Sequence, residues 1–178
     1  MSASSIRLRA AAEADAPTIA ALSVQVFLDT YATEGVRPDL AREAFVEYSA
    51  AAFAARLREP ARAFLLAEWG PGLVGFAEFL LVAVPAPAGA VAGAELVRLY
   101  VQPAFQGSGV GRELLRAAEL AAATRGLSAL WLTAWEGNHR ALRFYAANGY
   151  EDIGATTHEF QGSTYANRVF ARRLGEVR

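Results

Sequence analysis

Residues 96–112 constrain this chain most, because they join a predicted β-strand to a predicted helix through a glycine-rich turn. Glycine at Gly107, Gly109 and Gly111 lets the backbone adopt φ angles that a Cβ atom disfavours. A helix that begins near Gly109 leaves its first N–H groups without intrahelical partners, and the positive end of the helix dipole lies beside them. Such a helix start favours phosphate, so the turn predicts a diphosphate-binding site.

The spacing of these glycines narrows the choice of diphosphate. The pattern is G-x-G-x-G behind Gln106, whereas a dinucleotide-binding fingerprint is G-x-G-x-x-G with an acidic residue about 20 positions later. A nucleoside-triphosphate loop of the Walker type ends in Gly-Lys-Ser/Thr, which this turn does not contain. The sequence therefore disfavours a nucleotide-binding oxidoreductase and a Walker-type nucleotidase.

Composition limits the other classes of function. At 178 residues the chain is predicted to form one domain spanning residues 1–178. Its 17 basic and 18 acidic residues give a net charge of −1, which offers no general electrostatic surface for nucleic acid or an anionic membrane. With no cysteine and two histidines, we expect no disulfide, no thiolate chemistry and no metal site.

The longest uncharged run, residues 79–94, raises the question of a membrane span. Proline and glycine interrupt this run, so it is predicted to form strands and a turn rather than a spanning helix. The N-terminal residues lack the continuous apolar run of a secretory signal. We expect a soluble, cytoplasmic protein without a membrane partner.

Hydrophobic periodicity and turn signals predict an α/β fold. Strands are predicted over residues 6–10, 64–69, 73–84, 95–101, 130–133, 153–160 and 168–174, and helices over 15–28 with Asp15 as N-cap, 40–58, 109–125 and 138–147. The helix over 40–58 is expected to bury Phe45, Tyr48, Phe53 and Leu57. The order β-α-α-β-β-β-α-β-α-β-β predicts a mixed sheet with helices on both faces.

Two motifs resemble the signatures of one enzyme family. Residues 106–111 are similar to the Gln/Arg-x-x-Gly-x-Gly/Ala loop of the GCN5-related N-acetyltransferases (GNAT), and residues 138–150 to their Asn-x-x-Ala-x-x-Phe-Tyr-x-x-x-Gly-Phe/Tyr signature. Residues 27–31, 38–40, 52–53, 131–136 and 154–160 look like the PaiA-like bacterial branch. The resemblance implies the GNAT fold, with a mostly antiparallel sheet splayed at the cofactor site, and acetyl-CoA as co-substrate.

The resemblance also implies which residues bind acetyl-CoA. Main-chain groups of Leu99 and Val101 would hold the pantetheine arm as an added strand, and the glycine turn would hold the pyrophosphate. Asn138 would cap its helix and contact the cofactor. Arg112 has two interpretations, a phosphate or ribose contact and a solvated helix face. The complete predicted cofactor-binding set is Leu99, Tyr100, Val101, Gln106, Gly107, Ser108, Gly109, Val110, Gly111, Arg112, Asn138 and Tyr145.

Two side chains are candidates for the chemistry of acetyl transfer. A phenol of pKa about 10 can protonate a thiolate of pKa about 8.5, and the family places Tyr145 near the thioester sulfur. An amine is protonated at neutral pH, so a base must activate it, and Glu95 has the spacing from Gln106 of a family glutamate base. The alternatives are a packed aromatic for Tyr145 and, for Glu95, a carboxylate that pairs with Arg98 or faces solvent.

The acceptor is less defined than the cofactor. Some PaiA-like enzymes acetylate polyamines, which would require carboxylates along a channel. Candidates are Asp29, Glu34, Asp39, Glu95 and Glu136. A second interpretation is a non-catalytic regulator that binds acetyl-CoA, and a third is a GNAT enzyme acting on a peptide or protein amine. The absence of cysteine favours direct attack of the amine over an acyl-cysteine route. We expect a monomer or a homodimer.

Overall fold

The structure is a computed structural model that describes residues 5–87, 89, 91–160 and 163–175. Its helices are α1 (Ala16–Tyr31), α2 (Pro38–Val46), α3 (Ala50–Leu57), α4 (Val110–Thr124) and α5 (His139–Ala147). Its strands are β1 (Ile6–Ala10), β2 (Arg62–Trp69), β3 (Gly72–Leu80), β4 (Val84–Pro85), β5 (Ala92–Val101), β6 (Ala129–Trp135), β7 (Glu151–Phe160) and β8 (Ser163–Arg173).

The described residues group into two compact units. The first unit consists of the residues up to Glu78 together with Arg98–Ala117, and the second unit of Phe79–Val97 together with the residues from Ala118 on. The continuous elements β3, β5 and α4 each contribute residues to both units.

Strands of the first unit pair in the order β1-β2-β3-β5. β1 runs antiparallel to β2, with Leu8 opposite Ala67. Gly70 and Pro71 alone separate β2 from β3, a connection that only antiparallel neighbours permit. Gly70 has a φ of +57°, which a tight turn requires and which glycine adopts without cost. Strands β2 and β3 therefore form an antiparallel hairpin.

Aromatic rings form the centre of the first unit. Phe64 of β2, Phe76 of β3 and Tyr100 of β5 form a cross-strand row, with centroid distances of 6.3 Å and 5.5 Å between neighbours. Phe53 of α3 is fully buried and meets the Phe76 ring edge-on at 6.1 Å. Such contacts add to the free energy of burying the rings. The aromatic row therefore fixes strand β5 just before the glycine turn.

Strands of the second unit pair in the order β5-β6-β8-β7, and β4 pairs with β5. β6 and β8 are antiparallel, as are β7 and β8. β5 and β6 are parallel, and Glu95–Trp131 is the last pair of their short ladder. Trp131 is buried against Val169 and donates its indole N–H to the Val84 carbonyl at 2.9 Å. The eight-stranded mixed sheet with its helices confirms the predicted α/β fold class.

The helix predicted over residues 40–58 is wrong as one element. It is divided into α2 and α3, and the Ser49 side chain accepts a hydrogen bond from the Ala52 N–H as the N-cap of α3. A serine that caps its own turn competes with continuation of the preceding helix. Because α2 ends early, Phe45 points outward and is 78% exposed, while Tyr48 and Phe53 are buried as predicted.

Two smaller predictions also need correction. The strand predicted over 73–84 ends at Leu80, and Val84–Pro85 form the separate strand β4. Asp15 occupies the N-cap position of α1 but its carboxylate does not cap that helix. It instead accepts hydrogen bonds from Arg9 and from the Ala12 N–H. The segment between the strands predicted over 153–160 and 168–174 includes residues 161–162, which lie outside the described residues.

Candidate functional site

The glycine turn links the end of β5 to the start of α4. Gly107 has a φ of +83° and Gly109 a φ of +98°, values that L side chains rarely adopt. These two positions therefore require glycine for their backbone conformation, as predicted. The same prediction for Gly111 is wrong, because Gly111 lies inside α4.

Most main-chain N–H groups between Gly107 and Arg112 have no backbone partner among the described residues, and Ser108, which donates to the Phe105 carbonyl, is the exception. Glu113 is the first residue of α4 that donates backward, to the Gly109 carbonyl at 3.1 Å. Five N–H groups before Glu113 form no backbone hydrogen bond within the part of the chain that the structure describes. They belong to Gly107, Gly109, Val110, Gly111 and Arg112. Unpaired amides at the positive end of a helix dipole form a site for an anion with several oxygens.

Side chains of the turn hold its shape. Gln106 donates its Nε2 hydrogen to the Val101 carbonyl at 2.8 Å, which ties the turn back to β5. The Ser108 hydroxyl donates to the Phe105 carbonyl at 2.6 Å, and the Phe105 ring lies 6.1 Å from the Trp69 ring. The sequence assigned Gln106 and Ser108 to the cofactor. In the structure their side chains bond to the protein, and so do their main-chain amides, which donate to the Pro103 and Phe105 carbonyls at 3.2 Å and 3.5 Å, so these two residues shape the turn.

Strand β5 presents main-chain groups on a free edge. The Gln102 N–H donates to the Val74 carbonyl of β3 at 2.8 Å. Since main-chain polar groups alternate between the two edges of a strand, those of Leu99 and Val101 lie on the edge away from β3. The register with β6 stops at Glu95, so among the described residues no ladder partner stands opposite Leu99 or Val101 on that edge. Because the Val101 carbonyl already accepts from Gln106, an extended ligand can pair with the main chain of Leu99 and with the Val101 N–H.

Tyr100 differs from its two neighbours. The same alternation directs its main chain toward β3, and its hydroxyl lies 3.2 Å from the hydroxyl of Tyr48. Burial, followed by the proximity of Tyr48, raises the pKa of Tyr100 well above the usual value. Tyr100 is therefore a neutral phenol paired with another phenol. Because its main chain faces β3, any contact of Tyr100 with the cofactor would have to come from its side chain.

Asn138 caps α5 in the second unit. Its side-chain oxygen accepts from the Ala141 N–H at 3.0 Å, and its carbonyl accepts from the Leu142 N–H at 3.1 Å. The predicted N-cap is confirmed. At the other end of α5, Gly149 has a φ of +82°, as a left-handed C-terminal cap requires.

Tyr145 is a buried ring on α5, with 8% of its surface exposed. It packs against Phe144 at 5.2 Å, Tyr150 at 5.8 Å and Phe170 of β8 at 6.1 Å. The Tyr150 hydroxyl donates to Glu119 at 2.9 Å, and burial together with Glu119 raises the pKa of Tyr150. The packing fixes the direction of the Tyr145 ring, which a catalytic phenol also requires.

Glu95 is half-buried on β5, opposite Trp131 of β6. Paired residues of adjacent strands share a sheet face. Arg98, which the alternative interpretation of Glu95 names as an ion-pair partner, bonds to Glu78, and the role of Glu95 stays a prediction. Arg112 is exposed in the first turn of α4, where both of its predicted interpretations place it.

Sequence reasoning missed a buried ion-pair cluster. Glu78 is fully buried on β3 and accepts from Arg62 and from Arg98, each at 2.5 Å. Burial, the largest single influence, lowers the pKa of Arg98, but the attraction and hydrogen bond of Glu78 together with the influence of Tyr100 and Tyr48 outweigh it, and the net shift is upward. The available signal was an acidic residue inside the apolar run of β3, since such residues are buried only when paired.

The described residues contain neither a metal-binding cluster nor a membrane-spanning helix. No group of three or more His, Cys, Asp or Glu side chains in the described ranges is placed to hold a metal ion. No helix among the same residues is long and apolar enough to span a membrane.

The chain matches the acetyltransferase (GNAT) family over residues 28–150 and belongs to that family. The predicted family, its fold and the class of enzyme, an acetyl-CoA-dependent N-acetyltransferase, are thereby confirmed.

Individual relatives cover nearly the whole chain. An uncharacterized N-acetyltransferase of Mycobacterium bovis is 30% identical over 161 residues, which are 90% of this chain and 98% of the relative. The crystal structure of PaiA N-acetyltransferase from Thermoplasma acidophilum in complex with coenzyme A has a TM-score of 0.75 at 22% identity and covers 96% of this chain and 99% of that chain. The structure of YncA from Salmonella typhimurium with its cofactor acetyl-CoA has a TM-score of 0.68 at 22% identity, with coverages of 97% and 95%.

Proposed function

We propose that this protein transfers the acetyl group of acetyl-CoA to a primary amine by direct attack within a ternary complex. The observation that carries the proposal is the group of unpaired amides at the start of α4, which belong to Gly107 and to residues 109–112. These amides occupy the loop signature of the family, and a structural relative is described in complex with coenzyme A. They would bind the pyrophosphate, while the free edge at Leu99 and Val101 would bind the pantetheine arm.

In the proposed reaction the amine nitrogen attacks the thioester carbonyl carbon. A carbon–nitrogen bond forms, the carbon–sulfur bond breaks, and the sulfur departs with the bonding electron pair. The amine loses a proton to Glu95, and the departing sulfur gains one from the Tyr145 hydroxyl. Both residues then return to their starting protonation states by exchange with water.

Tyr145→Phe tests the proposed acid. It removes the hydroxyl and keeps the ring that packs against Phe144, Tyr150 and Phe170. We expect kcat to fall by roughly 10²–10⁴-fold, the usual contribution of a general acid, with the Kd for CoA unchanged. Tyr150→Phe is the matched control, because it deletes a neighbouring hydroxyl that bonds to Glu119. Equal kcat in the Tyr145 variant and the wild type would remove Tyr145 from the reaction.

Glu95→Gln tests the proposed base. A carboxylate base must be ionised to accept a proton, so kcat/KM of the wild type should rise with pH through the pKa of the base. In the variant we expect this acidic limb to be lost and kcat to fall by roughly 10²–10⁴-fold. Glu151→Gln, at an exposed position of β7, is the control. A pH profile that the Glu95 substitution leaves unchanged would point to activation of the amine through water instead.

We propose a polyamine or another small amine as acceptor, on the similarity to the PaiA-like branch. Of the candidate carboxylates, Asp29 and Glu34 are exposed, and Glu95 is half-buried. Asp39 bonds to Arg37, and Glu136 lies 3.9 Å from Arg168. An acidic residue outside the predicted set is Glu43 of α2, which is also half-buried. Burial, followed by the charge of Glu47, raises its pKa.

Two measurements test the function as a whole. Calorimetry with CoA should show binding that requires the glycine turn. Thiol release from acetyl-CoA should then be followed with polyamines, amino acids, peptides and aminoglycosides as acceptors. Binding without thiol release for any amine would favour a non-catalytic regulator, and preferential release with peptides would favour a protein acetyltransferase. Absence of CoA binding would refute the proposal. The cytoplasmic location and the monomer or homodimer remain predictions.

A further inference from the structure

A charged row crosses three strands of the first unit, two residues along each strand from the aromatic row. It consists of Arg62 on β2, Glu78 on β3 and Arg98 on β5. Arg62 donates to one oxygen of Glu78 and Arg98 to the other, each at 2.5 Å. Because Glu78 is fully buried, its charge depends on both arginines for compensation. Within this charged row, Arg98 is the residue that connects β5 to the buried carboxylate of Glu78.

Arg98 also contacts the ring of Tyr48. Its guanidinium lies 5.4 Å from the centre of the Tyr48 ring, a cation–π arrangement. The Tyr48 hydroxyl lies 3.2 Å from that of Tyr100, which is two residues beyond Arg98 on β5. Alternation of side chains along a strand places Arg98 and Tyr100 on one face. They flank Leu99 in sequence, and both are held by Tyr48.

The opposite face of this segment is packed as well. The side chains of Val101 and Leu114 approach Gly75 so closely that a Cβ there would lie 3.3 Å from each. A Cβ at Gly75 would also lie 2.9 Å from the Tyr100 carbonyl oxygen, so β3 and β5 are in close contact. Residues 98–101 are therefore fixed on both faces and along the β3 edge, which leaves one edge open.

We propose that Arg98, held by Glu78, is a positioning residue that fixes the open edge of β5 for the pantetheine arm. This inference rests on the proposed function, which assigns that edge to the cofactor. Main-chain hydrogen bonds to an extended ligand need their donors and acceptors in register, and an added strand tolerates little displacement of its template. Arg98 acts through the strand and does not need to contact the ligand.

Arg62 supplies a matched control, because it bonds to the same carboxylate from the far side. Arg62→Met and Arg98→Met each remove one guanidinium and each leave Glu78 paired with the remaining arginine. Arg62 lies on β2, so its loss leaves Arg98 of β5 bonded to Glu78. Arg62 also bonds to Glu59 at 2.7 Å. The two variants therefore differ in which strand is released and agree in the charge that remains.

The test compares the Kd for CoA by calorimetry, and KM and kcat for acetyl-CoA, at a temperature where all variants are folded. We expect Arg98→Met to weaken CoA binding by at least about tenfold and to raise KM more than it lowers kcat. Arg62→Met should stay within about twofold of the wild type. Arg98→Lys, which keeps the charge beside Glu78, should restore part of the affinity. Glu78→Gln should weaken CoA binding in the wild type and add nothing in the Arg98→Met background.

Equal affinities in Arg62→Met and Arg98→Met, whether high or low, would overturn the inference and leave the row a purely structural element. If Arg98→Met does not fold, Arg98→Lys against Arg62→Lys provides the same comparison. A wild-type protein that fails to bind CoA is a different result, because it refutes the proposed function before any variant is compared.

Discussion

Replacing Gly109 by alanine tests whether the turn binds the cofactor through its main chain. Gly109 has a φ of +98°, and a Cβ built there meets no heavy atom within 4 Å. The substitution therefore introduces no collision, and its whole effect is on backbone conformation. Alanine disfavours this φ by about 1–3 kcal/mol, so the turn either holds the strain or rotates the neighbouring peptide units.

Gly35 offers a control with the same physical properties outside the turn. It lies between α1 and α2 with a φ of +109°, and a Cβ there also meets nothing within 4 Å. We expect Gly35→Ala and Gly109→Ala to lower the free energy of unfolding similarly, by about 1–3 kcal/mol. For a chain of this length each kcal/mol corresponds to about 2–4 °C in Tm.

Only the Gly109 variant should lose affinity for CoA. Rotation of one peptide unit removes a hydrogen bond to a charged phosphate, which contributes about 1.5–3 kcal/mol. The expected loss is therefore about 10-fold to 100-fold in Kd, measured by calorimetry well below the Tm of both variants. Unchanged CoA affinity in Gly109→Ala, together with the expected loss of stability, would refute main-chain binding by this turn.

Two further predictions concern stability. Glu78→Gln removes the fully buried carboxylate that pairs with Arg62 and Arg98, and of these two arginines Arg62 keeps Glu59 as a partner, so we expect a loss of about 3–5 kcal/mol in the free energy of unfolding, measured in denaturant. Glu68→Gln, which also removes a carboxylate bonded to two arginines but at the exposed edge strands, should cost less than about 1 kcal/mol. Hydrogen bonds from Arg9 lower the pKa of Asp15, so its contribution is present above the unfolded-state pKa and is lost as pH falls through the folded-state value. At pH 7, Asp15→Asn should therefore lower the free energy of unfolding by about 1 kcal/mol, and at strongly acidic pH it should have no effect. Urea melts across a pH series measure this difference. An equal deficit at every pH would contradict the prediction.

The glycine turn was predictable because its constraint is local. The φ values of Gly107 and Gly109 and the start of α4 follow from glycine spacing and the periodicity of the next residues. The Asn138 cap was predictable for the same reason, since an N-cap satisfies a donor three residues away.

The errors arose where tertiary contacts or competing local bonds decide. Ser49 had the signature of an N-cap, but the alanine-rich helical pattern on both sides of it concealed the break. Phe45 then faces solvent although its spacing placed it on the buried side. The partners of Glu78 come from two other strands, and no periodicity in the sequence specifies which arginine reaches a buried carboxylate.

The catalytic residues were harder to predict than the glycine turn. The sequence offered Glu95 and Tyr145 through the family resemblance, whereas their roles depend on where the substrate atoms lie. The structure packs the Tyr145 ring against Phe170 and places Glu95 half-buried on β5, and the variants Tyr145→Phe and Glu95→Gln measure the role of each.

The turn offers its donors from amides, and this affects how the sequence can vary over evolution. Exchanging Val110 or Arg112 for any residue except proline leaves an N–H in place, so a binding function built this way tolerates sequence change at those side chains. Loss of the function by a single mutation is then concentrated at positions where the new residue changes the path of the chain, such as Gly107 and Gly109.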